Sequence, residues 1–191
     1  MKKRQYIIDT AIRLFANQGY DATTTMQISR EAKVTEPLIY YHFKNGKEEL
    51  YTFVLKTAFE KYFDRMENLP KRTADQFAKI EAIIDLHLGA TGEDPHEMHL
   101  VVSACPVKLK TTDHICYQYI KKQQEWLTQY ISRCLQNGMR KGEFVAMPLK
   151  QTTTLILAMI VGVLVNQNSE ATNKASLKKA AIEFCRRSLV K

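Results

Sequence analysis

Tyr40, Tyr41 and His42 stand side by side within EAKVTEPLIYYHFKNGKEEL, residues 31 to 50. A phenolic hydroxyl and an imidazole can donate to phosphate oxygens, and their rings can pack against sugars. A hydrophobic core would place leucines at such positions, and a solvated loop would place serines. A second group lies in HEMH, where His96 and His99 are three residues apart. Helical zinc sites of the HExxH type need histidines four apart, and no third ligand follows closely, so no metal site is expected. Cys105, Cys116, His114 and Tyr117 fall in the middle of the chain. No CxxC pair occurs, and these cysteines read as small buried hydrophobes rather than redox sensors.

The elements that position the first group follow from periodicity. Ile8, Ala11, Ile12 and Phe15 form one apolar stripe of a first helix, which Gly19 stops. Thr24 followed by Gln27 reads as a capping box opening a short second helix with Ile28 and Ala32 on its inner face. KVT is a tight turn. Thr35 is placed to cap a third helix, with Glu36 and Pro37 in its first turn. Asn45 and Glu48 repeat the capping pattern for a fourth helix, running from Lys47 to about Leu69. On a wheel of about 100° per residue, Ile39 and Phe43 of the third helix fall together and face inward. Pro37 and Tyr41 point the opposite way, flanked by Leu38 and Tyr40. Two short helices joined by a turn, the second with a decorated outer face, make a helix-turn-helix, whose second helix enters the major groove.

Further helices are expected over 73–89, from His96 to about Cys105, from about Asp113 to Arg140, and over 149–167 and 174–190. The chain is therefore all-α with about nine helices: a helix-turn-helix domain at 1–46 and a larger helical body at 47–191. Composition agrees. Only 7 glycines and 5 prolines occur in 191 residues, 45% of which are hydrophobic, enough for a core. The formal net charge of +8 is compatible with nucleic acid. LILAMIVGVLV at 155–165 is far short of the roughly 20 residues a membrane span needs, so a cytoplasmic protein with reduced thiols and no membrane partner is expected. There is no G-x-S-x-G, Walker loop or dinucleotide fingerprint, so neither an enzyme nor a cofactor is expected.

Ala11, Leu14-Phe15, Gly19, Thr24, Ile28, Ile39-Tyr40, His42-Phe43 and Lys47-Glu48-Glu49-Leu50 keep an order and spacing that resembles the DNA-binding domain of the TetR family of bacterial transcriptional regulators. The likeness covers about the first fifty residues; beyond them only length and helical pattern match. It implies a homodimeric regulator, usually a repressor, that a ligand in the C-terminal domain releases from a palindromic operator. By family position the DNA contacts are Thr25, Thr35, Glu36, Pro37, Leu38, Tyr40, Tyr41 and His42, with Lys47 at the start of the fourth helix. Lys44 adds charge, and Lys2, Lys3 and Arg4 add backbone or minor-groove contacts. Helices eight and nine form the dimer bundle in that family, which points to Leu155, Met159, Gly162 and Val163, and to Leu177, Ala181, Phe184 and Leu189.

Three departures stand out. Lys33 occupies a position often held by glycine, Glu36-Pro37 replaces a frequent lysine-glycine pair, and FKNGKEEL is one residue longer than the common version. The outward face of the third helix has no Arg, Lys, Asn or Gln, so bidentate reading of guanine or adenine from it is excluded. Thymine methyls and groove shape are left to Pro37, Leu38 and the tyrosine rings, and one adenine contact to Gln27. Phe59, Phe63, Met66 and His87 are expected in a pocket for a flat or hydrophobic organic effector. Met98, Tyr117, Trp126 and Met159 complete that set. The alternative is a regulator without a small ligand, acting as an activator or through a protein partner.

Overall fold

The computed structural model describes residues 2–69, 75–89, 95–102, 106, 109, 111, 113–166 and 174–191. Among them the helices are α1 (Lys2–Ala22), α2 (Thr25–Glu31), α3 (Glu36–His42), α4 (Lys47–Glu67), α5 (Gln76–Leu88), α6 (Pro95–Val102), α7 (Ile115–Lys141), α8 (Leu149–Asn166) and α9 (Lys174–Leu189). The all-α expectation holds, and helix bounds fall within a few residues of those read from periodicity. Cys105 lies outside the described residues.

The chain forms two compact units, one of residues 1–64 and 94–121, the other of 65–93 and 122–191. The first unit holds the head together with most of α4, all of α6 and the start of α7.

In the first unit, Ile7, Ile8, Ala11, Leu14 and Phe15 bury one face of α1. Gly19 breaks that helix with φ 78 and ψ 174, and a further turn reaches Ala22. Thr23 closes the turn by donating its hydroxyl to the Gly19 carbonyl at 2.7 Å. Thr24 caps α2 as expected, accepting from the Gln27 N–H at 3.1 Å. α2 ends in a Schellman motif: Lys33 N–H donates to the Arg30 carbonyl at 3.3 Å and Val34 N–H to the Ser29 carbonyl at 2.9 Å. The residue forced into the left-handed region is Lys33, at φ 55, where glycine would be unstrained.

Two caps differ from expectation. Thr35 holds the N-cap position of α3 but makes no side-chain cap bond. The carboxylate that reaches back to Asn45 N–H is that of Glu49, at 2.9 Å, not Glu48. Phe43 and Phe53, from α3's end and α4, share the Arg4 guanidinium, which lies 5.2 and 4.6 Å from their ring centres. α6 packs on α1, and Glu97 of α6 pairs with Lys61 of α4 at 2.6 Å.

In the second unit, Asp75 caps α5 by accepting from Phe77 N–H at 2.8 Å. α5 packs against α8 and α9. Arg186 covers the Phe77 ring at 4.2 Å and pairs with Glu81, while Lys178 pairs with Asp85 at 2.9 Å. Ile80, Ile83, Ile84, Ile131, Leu135 and Ile160 form the core. His87 is buried with them, its Nδ1 2.8 Å from the Ile83 carbonyl.

Candidate nucleic-acid interface and candidate ligand cavity

α3 divides its side chains as its periodicity requires. Ile39 and Phe43 are 0% and 2% exposed, while Tyr40 and Tyr41 are 47% and 78% exposed. Burial of the first two fixes the helix on the head, and the tyrosines are presented as a consequence. Tyr41 meets His42 edge-on at 5.1 Å between ring centres. Tyr40 lies over Gly46, where any Cβ would come within 2.7 Å of its ring. Thr35, Pro37 and Lys44 are exposed, and Leu38 is half-buried.

Several candidate contacts are already engaged within the head. Thr25 donates its hydroxyl to Glu36 at 2.6 Å, which ties α2 to α3 and sets the direction of that carboxylate. Gln27 does not reach back to complete a capping box. Its side chain exchanges hydrogen bonds with Gln18 at 2.7 and 3.3 Å and donates to Glu31 at 3.2 Å. Arg13 pairs with Glu31 at 2.6 Å and holds that carboxyl below the usual carboxylate range. Lys47 donates to the Tyr20 carbonyl at 3.0 Å, its ammonium 4.2 Å from the Tyr20 ring centre. Tyr20 in turn packs on Phe15 and Tyr51. Lys47 and Arg4 thus hold the head together, and Lys2, Lys3, Arg13, Arg30, Lys33 and Lys44 are exposed on it.

The second unit carries a cavity of about 430 Å³, within the range of small-molecule sites. Met66, Glu67 and Leu69 supply one wall, Gln76 and Lys79 of α5 another. α7 supplies the third through Trp126, Gln129, Tyr130, Arg133, Cys134 and Asn137. The Trp126 and Tyr130 rings stack, 4.8 Å apart and 12° from parallel. Burial pushes the Tyr130 phenol up to about 12 and the Cys134 thiol up to about 11, so both are neutral near pH 7. The Tyr130 hydroxyl is buried with no hydrogen-bond partner among the described residues, an arrangement that costs roughly 1–3 kcal/mol.

Of the residues expected in a pocket, Met66 and Trp126 line this cavity. Phe59 and Phe63 belong to the first unit, in an aromatic cluster with Tyr62 and Tyr119, the Phe59 and Tyr119 rings stacking at 5.0 Å. Met98 and Tyr117 also lie in the first unit, half-buried. His87 is core, and Met159 is half-buried on α8. Tyr130, Lys79 and Arg133 were not anticipated. Their signal was a Trp126–Tyr130–Arg133 stripe at helical spacing on α7.

No group of three metal-ligating side chains occurs among the described residues. Cys116, Cys134 and Cys185 are buried and in no disulfide among the described residues. The His114 ring caps α7, its Nδ1 accepting from Cys116 N–H at 3.1 Å. No helix among the described residues is long and apolar enough to cross a membrane. On α8 and α9, Leu155, Val161 and Phe184 are 68%, 55% and 66% exposed. Met159, Gly162, Val163 and Leu177 are half-buried, and Ala181 and Leu189 are buried within the chain.

A helix-turn-helix head joined to a second helical unit defines a DNA-binding transcription regulator. Residues 7–52 match the family described as bacterial regulatory proteins, tetR family. Over 173 residues the chain is 29% identical to an uncharacterised HTH-type transcriptional regulator, YxaF, of Bacillus subtilis strain 168, covering 83% of this chain and 81% of that one. Its fold is similar to a putative transcriptional regulator from Saccharomonospora viridis solved in complex with choline, with TM-score 0.78 and 21% identity over 100% and 98% of the two chains. It is also similar to AibR, solved in complex with isovaleryl coenzyme A and operator DNA, with TM-score 0.75 and 13% identity over 95% and 97%. The likeness to the tetR family of bacterial regulatory proteins lies in the head, over residues 7–52.

Proposed function

We propose that the chain is a cytoplasmic homodimeric repressor, not an enzyme, that grips a near-palindromic operator and leaves it when a small organic effector binds. The observation that carries this reading is α3, whose apolar residues are buried while Tyr41 stands 78% exposed at the centre of its outer face. Tyr40, Tyr41, His42, Thr35, Pro37 and Leu38 read the groove, and Lys44 meets the phosphates. Thr25, Gln27, Glu36 and Lys47 act at its edge, after exchanging their present partners. Two copies join through Leu155, Met159, Gly162, Val163, Leu177 and Phe184, because exposed apolar side chains on two adjacent helices favour a self-complementary contact. Protein two-fold symmetry is then mirrored in the operator.

The alternative, a regulator without a small ligand, is disfavoured by a cavity of about 430 Å³. The structural neighbours, solved with choline and with isovaleryl coenzyme A, support an effector in this fold. Genomic fragments selected by the purified protein test the reading. The expected result is a palindromic site bound more weakly as salt rises and about tenfold or more weakly by Tyr41→Ala. Weak, sequence-independent binding that Tyr41→Ala leaves unchanged overturns it.

A further inference from the structure

The cavity walls are not those of a purely hydrophobic site. Lys79 and Arg133 line it, and neither has an acidic partner among the described residues. Glu67 is the one carboxylate in the lining. The cavity therefore carries two positive charges against one negative. Four other cations of this unit pair with acids: Lys178 with Asp85, Arg186 with Glu81, Arg187 with Glu183 and Lys141 with Glu143. The stacked Trp126 and Tyr130 rings supply a flat apolar wall beside these charges. An uncharged hydrophobic ligand leaves both cations unused, and a cationic ligand is repelled by them.

We propose that this cavity takes a compact organic anion with a flat apolar body, the acid group drawn to Lys79 and Arg133 and the body lying on Trp126 and Tyr130. The inference rests on the effector reading above and corrects its chemistry: charge, rather than hydrophobicity alone, selects the ligand. A volume of about 430 Å³ matches a fused-ring acid. An arginine also offers paired N–H donors that suit a carboxylate, sulfonate or phosphate.

Two dyes of one skeleton test it. 1-Anilinonaphthalene-8-sulfonate carries an acid group, and N-phenyl-1-naphthylamine lacks it. Binding is followed by quenching of Trp126, the chain's single tryptophan, which lines the cavity. The sulfonate is expected to bind at least about tenfold tighter than the neutral dye, from charge-assisted hydrogen bonds. Lys79→Met with Arg133→Met should remove that preference and change the neutral dye's affinity less than about twofold, with the melting temperature retained as the check on folding. Equal or tighter binding of the neutral dye by the wild type, or full sulfonate binding by the double variant, overturns the inference. Operator binding is measured separately without dye. Its absence in the wild type sinks the regulator reading alone, and loss of charge selectivity with operator binding intact sinks the anion inference alone.

Discussion

The packed interior of the head and the cavity of the second unit treat their cations in opposite ways. In the head, Arg4 lies on Phe43 and Phe53, Arg13 pairs with Glu31, and Lys47 closes on the end of α1. Arg4, Arg13 and Lys47 thus serve the fold, Lys44 stays exposed beside the aromatic surface, and the outward rings of α3 are tyrosines. In the second unit's cavity, Lys79 and Arg133 form no ion pair among the described residues, while α8 and α9 expose the bare apolar side chains Leu155, Val161 and Phe184. A tyrosine surface has hydroxyl tips and suits a polyanion with sugars and methyl groups. A Leu, Val and Phe surface has none and suits another apolar face. Net charge, +8 over the whole chain, does not by itself distinguish the two.

The largest expected effect comes from the bare face. Leu155→Lys with Phe184→Lys should leave a folded monomer by sedimentation and weaken operator binding by about a hundredfold or more, because linked half-site binding is lost. A dimer that persists in this variant would move the interface elsewhere. Next is the tyrosine face: Tyr41→Ala should cost about tenfold or more in operator affinity, read by fluorescence anisotropy, with little change in melting temperature. An unchanged affinity would break the contrast between the two surfaces.

A smaller effect concerns the second unit's core. Burial lowers the His87 pKa from its ordinary 6.5, so the folded chain favours the neutral ring. Above that value both states are neutral and nothing changes. As pH falls below it, the unfolded chain takes up a proton that the folded chain refuses, and stability drops by up to about 1.4 kcal/mol per pH unit. His87→Gln should flatten that part of the pH–stability curve in denaturant titrations; an unchanged slope would assign it to other groups. The smallest effect lies in the head's turn. Lys33→Gly should add about 1 kcal/mol and raise the melting temperature by roughly 2–4 °C, by relieving the left-handed lysine. A lower melting temperature would show that the lysine side chain contributes more than the strain removes.

What was legible in the sequence was local. The α1 stripe, the Gly19 break, the Thr24 cap and the turn strained at Lys33 each depend on residues within one or two helical turns. The inward Ile39–Phe43 pair was legible for the same reason. Capping failed where a side chain had a choice of partner. Gln27 turns to Gln18 and Glu31 instead of completing a box, and Glu49 takes the bond expected of Glu48. The cavity was half legible. Met66 and Trp126 line it and are apolar or aromatic by type, but nothing local marks Lys79 and Arg133 until α5 and α7 are seen to share a wall. Phe59 and Phe63 lie outside this cavity and pack with Tyr62 and Tyr119, a contact between α4 and α7 that no spacing announces.

Tyr40 rests on Gly46, a residue with φ 60 that lies beyond the end of α3. A screen for cells that lose control of the target gene should therefore return changes at position 46 beside those at 40 and 41. Glycine has no side chain to offer an operator. A map of such lesions drawn as a footprint on DNA would be one residue too wide, and the extra residue would mark the floor under the reading surface.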